Sequence, residues 1–377
     1  MKLTYFKRLK VLIIILIFNI STATIANKLD SLTLSEAIRI SLLNDPWIVG
    51  NEFTQESIDA MSISIGTLPD PKISLSMANF PTDTFNFGQE AMTQFKVGIS
   101  QMIPRGKSLN YKRKQLKLKS ESYPYQRSNR KAQIKVTVSQ LWLDIYKAQM
   151  SISLIEKDKK LFEQLSDIVE LSYSSALGRT RQQDIIRAQL ELIRLEDRLT
   201  TLKLTQESNL EKINQWVSSY LLSHYSKTMS VGNHYLKVSD KLPEIELTHA
   251  SIYTKNKSND EIFQLMKDHP MIVALRKKIA STEVGIDLAK QKYKPAFAVN
   301  ASYGYRGTAP SGDNRADFLS LGVTFDIPLF TKNKQDQELK SAIAKTEAIK
   351  TDEWLLIRKM IASYETFRVK LLRLNQR

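Results

Sequence analysis

Two periods of apolar residues alternate along this chain. From Val138, apolar or small residues recur at alternating steps of three and four, at Leu141, Ile145, Ala148, Ile152, Ile155, Phe162, Val169 and Ala176, with Lys159, Ser166 and Tyr173 in the remaining slots. This heptad seam predicts a long helix packed along one stripe. After a turn containing Gly178 the seam resumes with Ile185, Ala188, Leu192, Leu195, Leu199, Leu202, Ile213 and Trp216, interrupted by Gln206 and Asn209. Two helices of roughly 45 to 60 Å, at about 1.5 Å per residue, are expected to pack antiparallel. Pro124 is expected to kink or break the helix that leads in from Arg105.

Elsewhere the period is two. Leu319, Leu321, Val323, Phe325 and Ile327 alternate with Ser320, Gly322, Thr324 and Asp326, and Phe95, Val97, Ile99 and Ile103 with Lys96, Gly98 and Ser100. Ile73, Leu75 and Met77 alternate with Lys72, Ser74 and Ser76, and Phe297, Val299, Ala301, Tyr303 and Tyr305 with Ala298, Asn300, Ser302 and Gly304. The pattern predicts four strands in two hairpins, 71–103 and 295–328. A half-buried soluble hairpin gives the same alternation as a membrane strand of about 9 to 11 residues. Aromatics towards the strand ends, at Phe80, Tyr303, Tyr305, Phe318 and Phe330, fit an interfacial girdle. Four strands cannot close a barrel, so a membrane reading requires several chains.

The breaks in the pattern repeat. Pro46, Pro71 and Pro104 are answered 224 residues later by Pro270, Pro295 and Pro328, and Ile48, Val49, Gly98 and Ile103 by Ile272, Val273, Gly322 and Ile327. Proline and glycine punctuate backbone geometry, so a shared order of breaks points to duplication. Each copy opens with a helix. In the first, Thr33 and Glu36 have the spacing of a capping box, and Pro46 fits the first turn of the next helix.

Residues 1–26 read as a secretory signal peptide. Lys2, Lys7, Arg8 and Lys10 precede an apolar run of about ten residues, too short for a spanning helix of roughly 20, and small residues follow. The chain then divides into a first repeat (27–217, with its coiled-coil hairpin at 105–217), a connecting segment (218–257) and a second repeat (258–377) whose last helix ends early. The fold class is α+β, with long coiled-coil helices beside membrane strands.

Composition narrows the chemistry. There are no cysteines, which excludes disulfides, thiolate metal sites and cysteine nucleophiles, and four scattered histidines leave little for metal catalysis. His224, His234, His249 and His269 are read as surface or packing residues. The net charge of +16 invites anionic partners. Yet the basic run Arg105, Lys107, Lys112, Arg113, Lys114, Lys117 and Lys119 has no aromatic platform beside it, so no nucleic acid is expected. Arg105-Gly106-Lys107-Ser108 imitates a phosphate-binding loop, but Gln101 stands where that motif needs glycine. No catalytic residue, cofactor-binding residue or metal ligand is assigned; the chain reads as a scaffold and not an enzyme. The polar sides of the strands are the candidate functional surface. In a barrel, Lys72, Lys96, Ser100, Asn300 and Asp326 would face the lumen and tune ion passage.

With these elements in order, the sequence resembles the TolC-like outer-membrane efflux proteins. Leu34-Ser35-Glu36-Ala37 with Asn44-Asp45-Pro46 is similar to that family's opening helix, and Leu171-Ser172-Tyr173 through Gly178 to Asp184-Ile185-Ile186-Arg187-Ala188-Gln189 to its helix tip. Leu68-Pro69-Asp70-Pro71 with Gly98-Ile99-Ser100-Gln101 and Pro104 resembles the branch attached to heavy-metal efflux pumps. The resemblance implies a homotrimer whose chains share one twelve-stranded barrel in outer-membrane lipid. It further implies a periplasmic helical barrel that docks a periplasmic adaptor and an inner-membrane pump, and a passive conduit without a cofactor. Gly178, Arg179, Arg181 and Asp184 would form the adaptor-docking tip. A second tip would fall beyond Arg377, so a C-terminal truncation relative to the family is expected. Heavy-metal cations are the expected cargo, type I secretion or drug export is the alternative cargo reading, and a soluble periplasmic coiled-coil adaptor the alternative class.

Overall fold

The computed structural model describes residues 31–175, 181–217, 237–244 and 258–376. The expected leader, most of the connecting segment, Gly178, Arg179, His224, His234 and His249 lie outside the described residues. In chain order the described elements are α1 (Leu34–Asn44), α2 (Pro46–Ile65), β1 (Lys72–Ala78), β2 (Gln94–Ile103), α3 (Ser108–Ser120) and α4 (Tyr123–Ser174). There follow α5 (Gln182–Val217), α6 (Asn259–Met266), α7 (Pro270–Gln291), β3 (Ala296–Tyr305), β4 (Phe318–Asp326) and α8 (Gln335–Asn375). The chain divides into two compact units, Met1–Asn44 with Ile134–Ile245 and Asp45–Gln133 with Glu246–Arg377.

In the first unit the seam of α4 and α5 forms along most of the predicted heptads, but Phe162 and Tyr173, expected in it, are exposed. Ile155, Ser166 and Val169 on α4, and Ile185, Ala188, Leu192, Leu195 and Leu202 on α5, are half-buried, while most residues between them are exposed. Lys159 donates to Glu196 at 2.9 Å and Lys203 pairs with Glu156 at 3.0 Å across the hairpin. Near the base the seam widens into a core of Leu32, Leu34, Ala37, Ile134, Val138, Trp142, Ile145, Leu210, Ile213, Val217 and Val238. Leu32 and Val238 form a single parallel bridge, and the fully buried Trp142 donates its Nε1–H to the Leu32 carbonyl at 2.8 Å while stacking on Tyr146. A buried indole normally finds such an acceptor, since an unmade hydrogen bond there costs about 1–3 kcal/mol.

The second unit holds the sheet. Its strands run in the order β1-β2-β3-β4, every pair antiparallel. The helices that join them keep the same order: α2 packs on α3, α3 on α7 and α7 on α8. Each strand therefore continues a helix of the layer beside it. The α3–α7 contact joins the two repeats. Ser281 Oγ donates to the Gln115 carbonyl at 2.8 Å, and Lys277 Nζ to Glu121 Oε2 at 2.7 Å, a hydrogen bond that holds the Lys277 pKa above its ordinary value. The expected break at Pro124 falls between α3 and α4, with Pro124 in the first turn of α4, where its missing N–H costs no helical bond.

The two copies cap their second helices alike. Asp45 precedes Pro46 and accepts from Trp47 N at 3.2 Å; His269 precedes Pro270, and its Nδ1 accepts from Met271 N at 3.2 Å. His269, expected from the sequence only as a surface or packing residue, is thus a cap. Asp45 is further held by Arg130, whose Nε lies 2.8 Å from Oδ2, whereas 224 residues beyond Arg130 stands Trp354.

Two outcomes are expected. Trp142→Phe keeps an aromatic core residue but removes one of two hydrogen bonds to the Leu32 carbonyl, which Ser239 N still engages at 3.0 Å, lowering stability by about 0.5–1.5 kcal/mol, seen as a lower melting temperature by far-UV circular dichroism in detergent. For His269, burial pushes the pKa below the ordinary 6.5. The unfolded chain then takes up the proton first, so the histidine's contribution is complete above about pH 6.5 and shrinks as pH falls towards the folded value. Aspartate caps without titrating in this range. The melting-temperature difference between wild type and His269→Asp should shift in favour of the variant between pH 7 and pH 5.

Candidate pore-lining surface

The register assigns every strand residue to one of two faces, because directly paired residues share a face. Lys72 lies opposite Ser100, Ser100 opposite Asn300 and Asn300 opposite Gly322; Lys96 lies between Ser76 and Gly304; Asp326 lies opposite Ala296. The five residues expected on the polar side, Lys72, Lys96, Ser100, Asn300 and Asp326, thus share one face with Ser74, Ser302, Ser320 and Thr324. Asn300 donates to Thr324 Oγ1 at 3.1 Å. The opposite face carries Ile73, Leu75, Met77, Phe95, Val97, Ile99, Phe297, Val299, Tyr303, Leu319, Leu321, Val323 and Phe325. It is uncovered: Ile73 is 74%, Leu75 68%, Leu319 73% and Leu321 77% exposed.

Two residues depart from the simple alternation. Gln101 lies opposite Val299 on the apolar face, where its amide donates to the Pro69 carbonyl at 2.8 Å and closes the base of β1 against β2. Phe318, expected in the aromatic girdle, lies opposite Gly304 on the polar face, and the Arg306 guanidinium sits 4.4 Å from its ring centroid. Tyr303 and Tyr305 stay on the apolar face and Phe330 lies beyond β4, all exposed.

At the loop end, side chains of one hairpin bond the other. Arg306 donates to the Ala91 carbonyl at 2.5 Å and Arg315 to the Glu90 carbonyl at 2.8 Å. Asp317 accepts from the Tyr303 hydroxyl and from Arg306 N, and these bonds hold its carboxyl below the usual range. Asp83 is likewise lowered, first by Gln89. At the helical end, Gly106 turns the chain with φ +51°, a conformation suited to glycine, after the corner residue Arg105. Arg105 donates to the Lys292 carbonyl at 2.8 Å and the Lys294 carbonyl at 3.3 Å, and pairs with Asp326. The only acid among the strand residues is thereby neutralised from a corner that the sequence marked only as basic.

The backbone of the imitated phosphate loop is also occupied, since Lys107 N donates to Gln291 Oε1 at 3.2 Å. Among the described residues no group of three or more His, Asp or Glu could hold a metal, and no helix is long and apolar enough to cross a membrane. At the hairpin tip, Asp184 Oδ2 accepts from Arg181 N at 3.0 Å, engaging the carboxylate at the start of α5, where a negative charge suits the helix dipole. Arg181 is exposed.

Arg105→Ala is expected to lower the melting temperature more than Asp326→Ala. The first removes the ion pair and the donor to two carbonyls; the second removes only a half-exposed ion pair worth about 0–1 kcal/mol. Equal effects would mean that the carbonyl contacts carry no weight.

No family model matches the chain, and no curated protein matches it. Solved structures do. The chain is similar to the CmeC outer membrane channel of Campylobacter jejuni, at 14% identity and TM-score 0.62 over 89% of this chain and 69% of that one. It is also similar to the open-state MtrE outer membrane channel of Neisseria gonorrhoeae, at 13% identity and TM-score 0.62 over 91% and 73%. A third match is the outer-membrane channel OprN, at 12% identity and TM-score 0.64 over 91% and 76%. The fold is a mostly helical α+β architecture, with long helices and four antiparallel strands, matching the structures of TolC-like outer-membrane channels.

Proposed function

We propose that this chain is a subunit of an outer-membrane efflux channel, a passive conduit and not an enzyme, working with a periplasmic adaptor and an inner-membrane pump. The observation that carries the proposal is the sheet. One face is apolar but for Gln101 and uncovered, the other is polar, and among the described residues β1 and β4 leave both edges unpaired. In lipid every unpaired backbone group costs several kcal/mol, so such a sheet persists only when further copies close it. The likeness of fold to outer-membrane channels supports the same reading, and the family resemblance sets the number of copies at three, giving twelve strands.

The helices support it too. Beside the seam, α4 carries a second row of exposed apolar residues at Leu154, Leu161, Leu165 and Ile168, and α5 another at Ile186, Leu190, Ile193 and Leu204. A helix with two adjacent apolar rows is suited to neighbours on both sides, as in a closed ring of helices. A soluble adaptor would need its own helices to cover the apolar face of the sheet. The tip residues Gly178, Arg179, Arg181 and Asp184 are proposed as the adaptor contact. Heavy metal as cargo rests on the resemblance of residues 68–71 and 98–104.

The ring is testable because the chain has no cysteine. β1 and β4 are different edges, so a closing interface between copies is head-to-tail. Cysteines placed together on β1 (Ser74→Cys) and β4 (Thr324→Cys), with neighbouring positions to sample register, should give on oxidation in outer-membrane fractions a ladder that ends at three chains. Variants with one cysteine should give none. Recovery in the soluble periplasm, uncrosslinked, would reject the channel.

A further inference from the structure

The polar face of the sheet carries an unequal charge. Its ionisable residues are Lys72, Lys96 and Asp326. Asp326 is paired with Arg105 at the sheet's base, where the two charges cancel. Lys72 and Lys96 have no ion-pair partner among the described residues, and both sit among small neighbours. Lys96 is flanked by Ser76 and Gly304, and Lys72 is paired with Ser100. The ammonium groups are therefore unneutralised among the described residues, with Lys72 exposed and Lys96 half-buried. Asp70 precedes β1 beyond Pro71, outside the paired strands, and Asp317 is engaged by Tyr303 and Arg306.

The excess continues below the sheet. A cavity of about 520 Å³, lined from the polar side by Met102 and Ala296, is bordered by Arg105, Lys112, Lys292 and Lys334 and by a single acid, Glu338. Lys292 pairs with that acid at 3.0 Å. Arg105 is spent on Asp326, which leaves Lys112 and Lys334 as further cations without an ion-pair partner among the described residues.

We infer that the β-barrel segment of the pore selects anions over cations, with Lys72 and Lys96 as the selectivity-determining residues. The inference rests on the channel reading and specifies its cargo class: small anions, including oxyanions and negatively charged complexes. Heavy metals cross this segment in those forms and not as free cations. The length scales agree. Twelve strands about 4.8 Å apart and tilted by about 40° close a backbone cylinder roughly 24 Å across. A lysine reaching about 6 Å inward leaves its charge within about one Debye length of the axis at 0.1 M salt, where that length is about 10 Å, but not at 1 M, where it is about 3 Å. Six such lysines in a trimer lie along a water-filled bore with low-dielectric walls, which concentrates their field.

The test is the reversal potential of the full-length protein reconstituted in planar bilayers of neutral lipid under a potassium chloride gradient. Wild type should show a chloride-to-potassium permeability ratio of at least about threefold at a mean of about 0.1 M, falling towards unity near 1 M. Lys72→Gln/Lys96→Gln should bring the ratio near unity at low salt, and Lys72→Glu/Lys96→Glu should invert it. Single-channel steps report that each variant has assembled; should a double variant give none, Lys96→Gln alone should lower the ratio. A cation-selective or indifferent wild type, or a ratio unmoved by the assembled variants, overturns the inference while leaving the channel intact. Absence of any conductance from wild type overturns the channel reading and the inference with it.

Discussion

Four strands with two open edges and one bare apolar face cannot be a finished structure, and that constraint organises the rest of the molecule. A backbone amide or carbonyl without a partner is costly in lipid, and an apolar face is costly in water, so no single solvent satisfies this sheet in isolation. Closing it with identical copies satisfies both demands at once. In the proposed ring, β1 of one chain would meet β4 of the next, with the apolar face outward all round. The helical layer follows the same logic, because α2 and α8 are its outer members just as β1 and β4 are those of the sheet. Both layers therefore offer their free sides to the same neighbour.

Duplication supplies this geometry economically. Each copy gives a helix, two strands and a returning helix, and a single junction between the copies, β2 on β3 with α3 on α7, makes one continuous wall. Polar contacts tie the junction together. Ser281 reaches the Gln115 carbonyl, Lys277 reaches Glu121, and Arg105 reaches across to the carbonyls at the end of α7. The copies have diverged where their surroundings differ. Asp45 is a cap locked by a guanidinium, and removing Arg130 would leave a buried carboxylate without its counter-charge. His269 caps alone, and it needs no counter-charge because it caps in the neutral form. Elsewhere the polarity is reversed: Glu52 accepts Arg127 in the first copy, while Arg276 donates to Glu353 in the second.

How much was legible from residues alone follows from the range of each interaction. The heptad seam, the four strands and their polar sides depend on local periodicity, and most of their positions were readable: Ile185, Ala188 and Leu192 line the seam, though Phe162 and Tyr173 do not, and Lys96, Ser100 and Asn300 share a face. What was missed depends on pairing between distant segments. Nothing near Arg105 indicates that its guanidinium neutralises Asp326, 221 residues away. Gln101 interrupts an apolar row because Pro69, brought back by the hairpin, offers a carbonyl. Phe318 begins its strand one step from where an aromatic girdle would need it, and strand ends are set by hydrogen bonding that no periodic pattern records. His269 could have been found, since it occupies the place of Asp45 relative to the repeated proline.

The sheet's charges divide by whether they are paired. A paired charge, such as Asp326, fixes a corner and contributes little to the field beyond it, because its partner cancels it within a few ångströms. An unpaired charge does the reverse: it holds nothing in place, and its field extends as far as salt permits. Lys72 and Lys96 belong to the second kind, and their surroundings keep them so. Serine and glycine fill most of the neighbouring positions, and at Gly304 the space a side chain would need is taken by Gln94, whose Oε1 lies where a Cβ would stand. Adding an acid there would require displacing Gln94 as well as changing the glycine. In the proposed channel, the wall's free charge would thus be positive and its small residues would preserve the bore through which that charge acts.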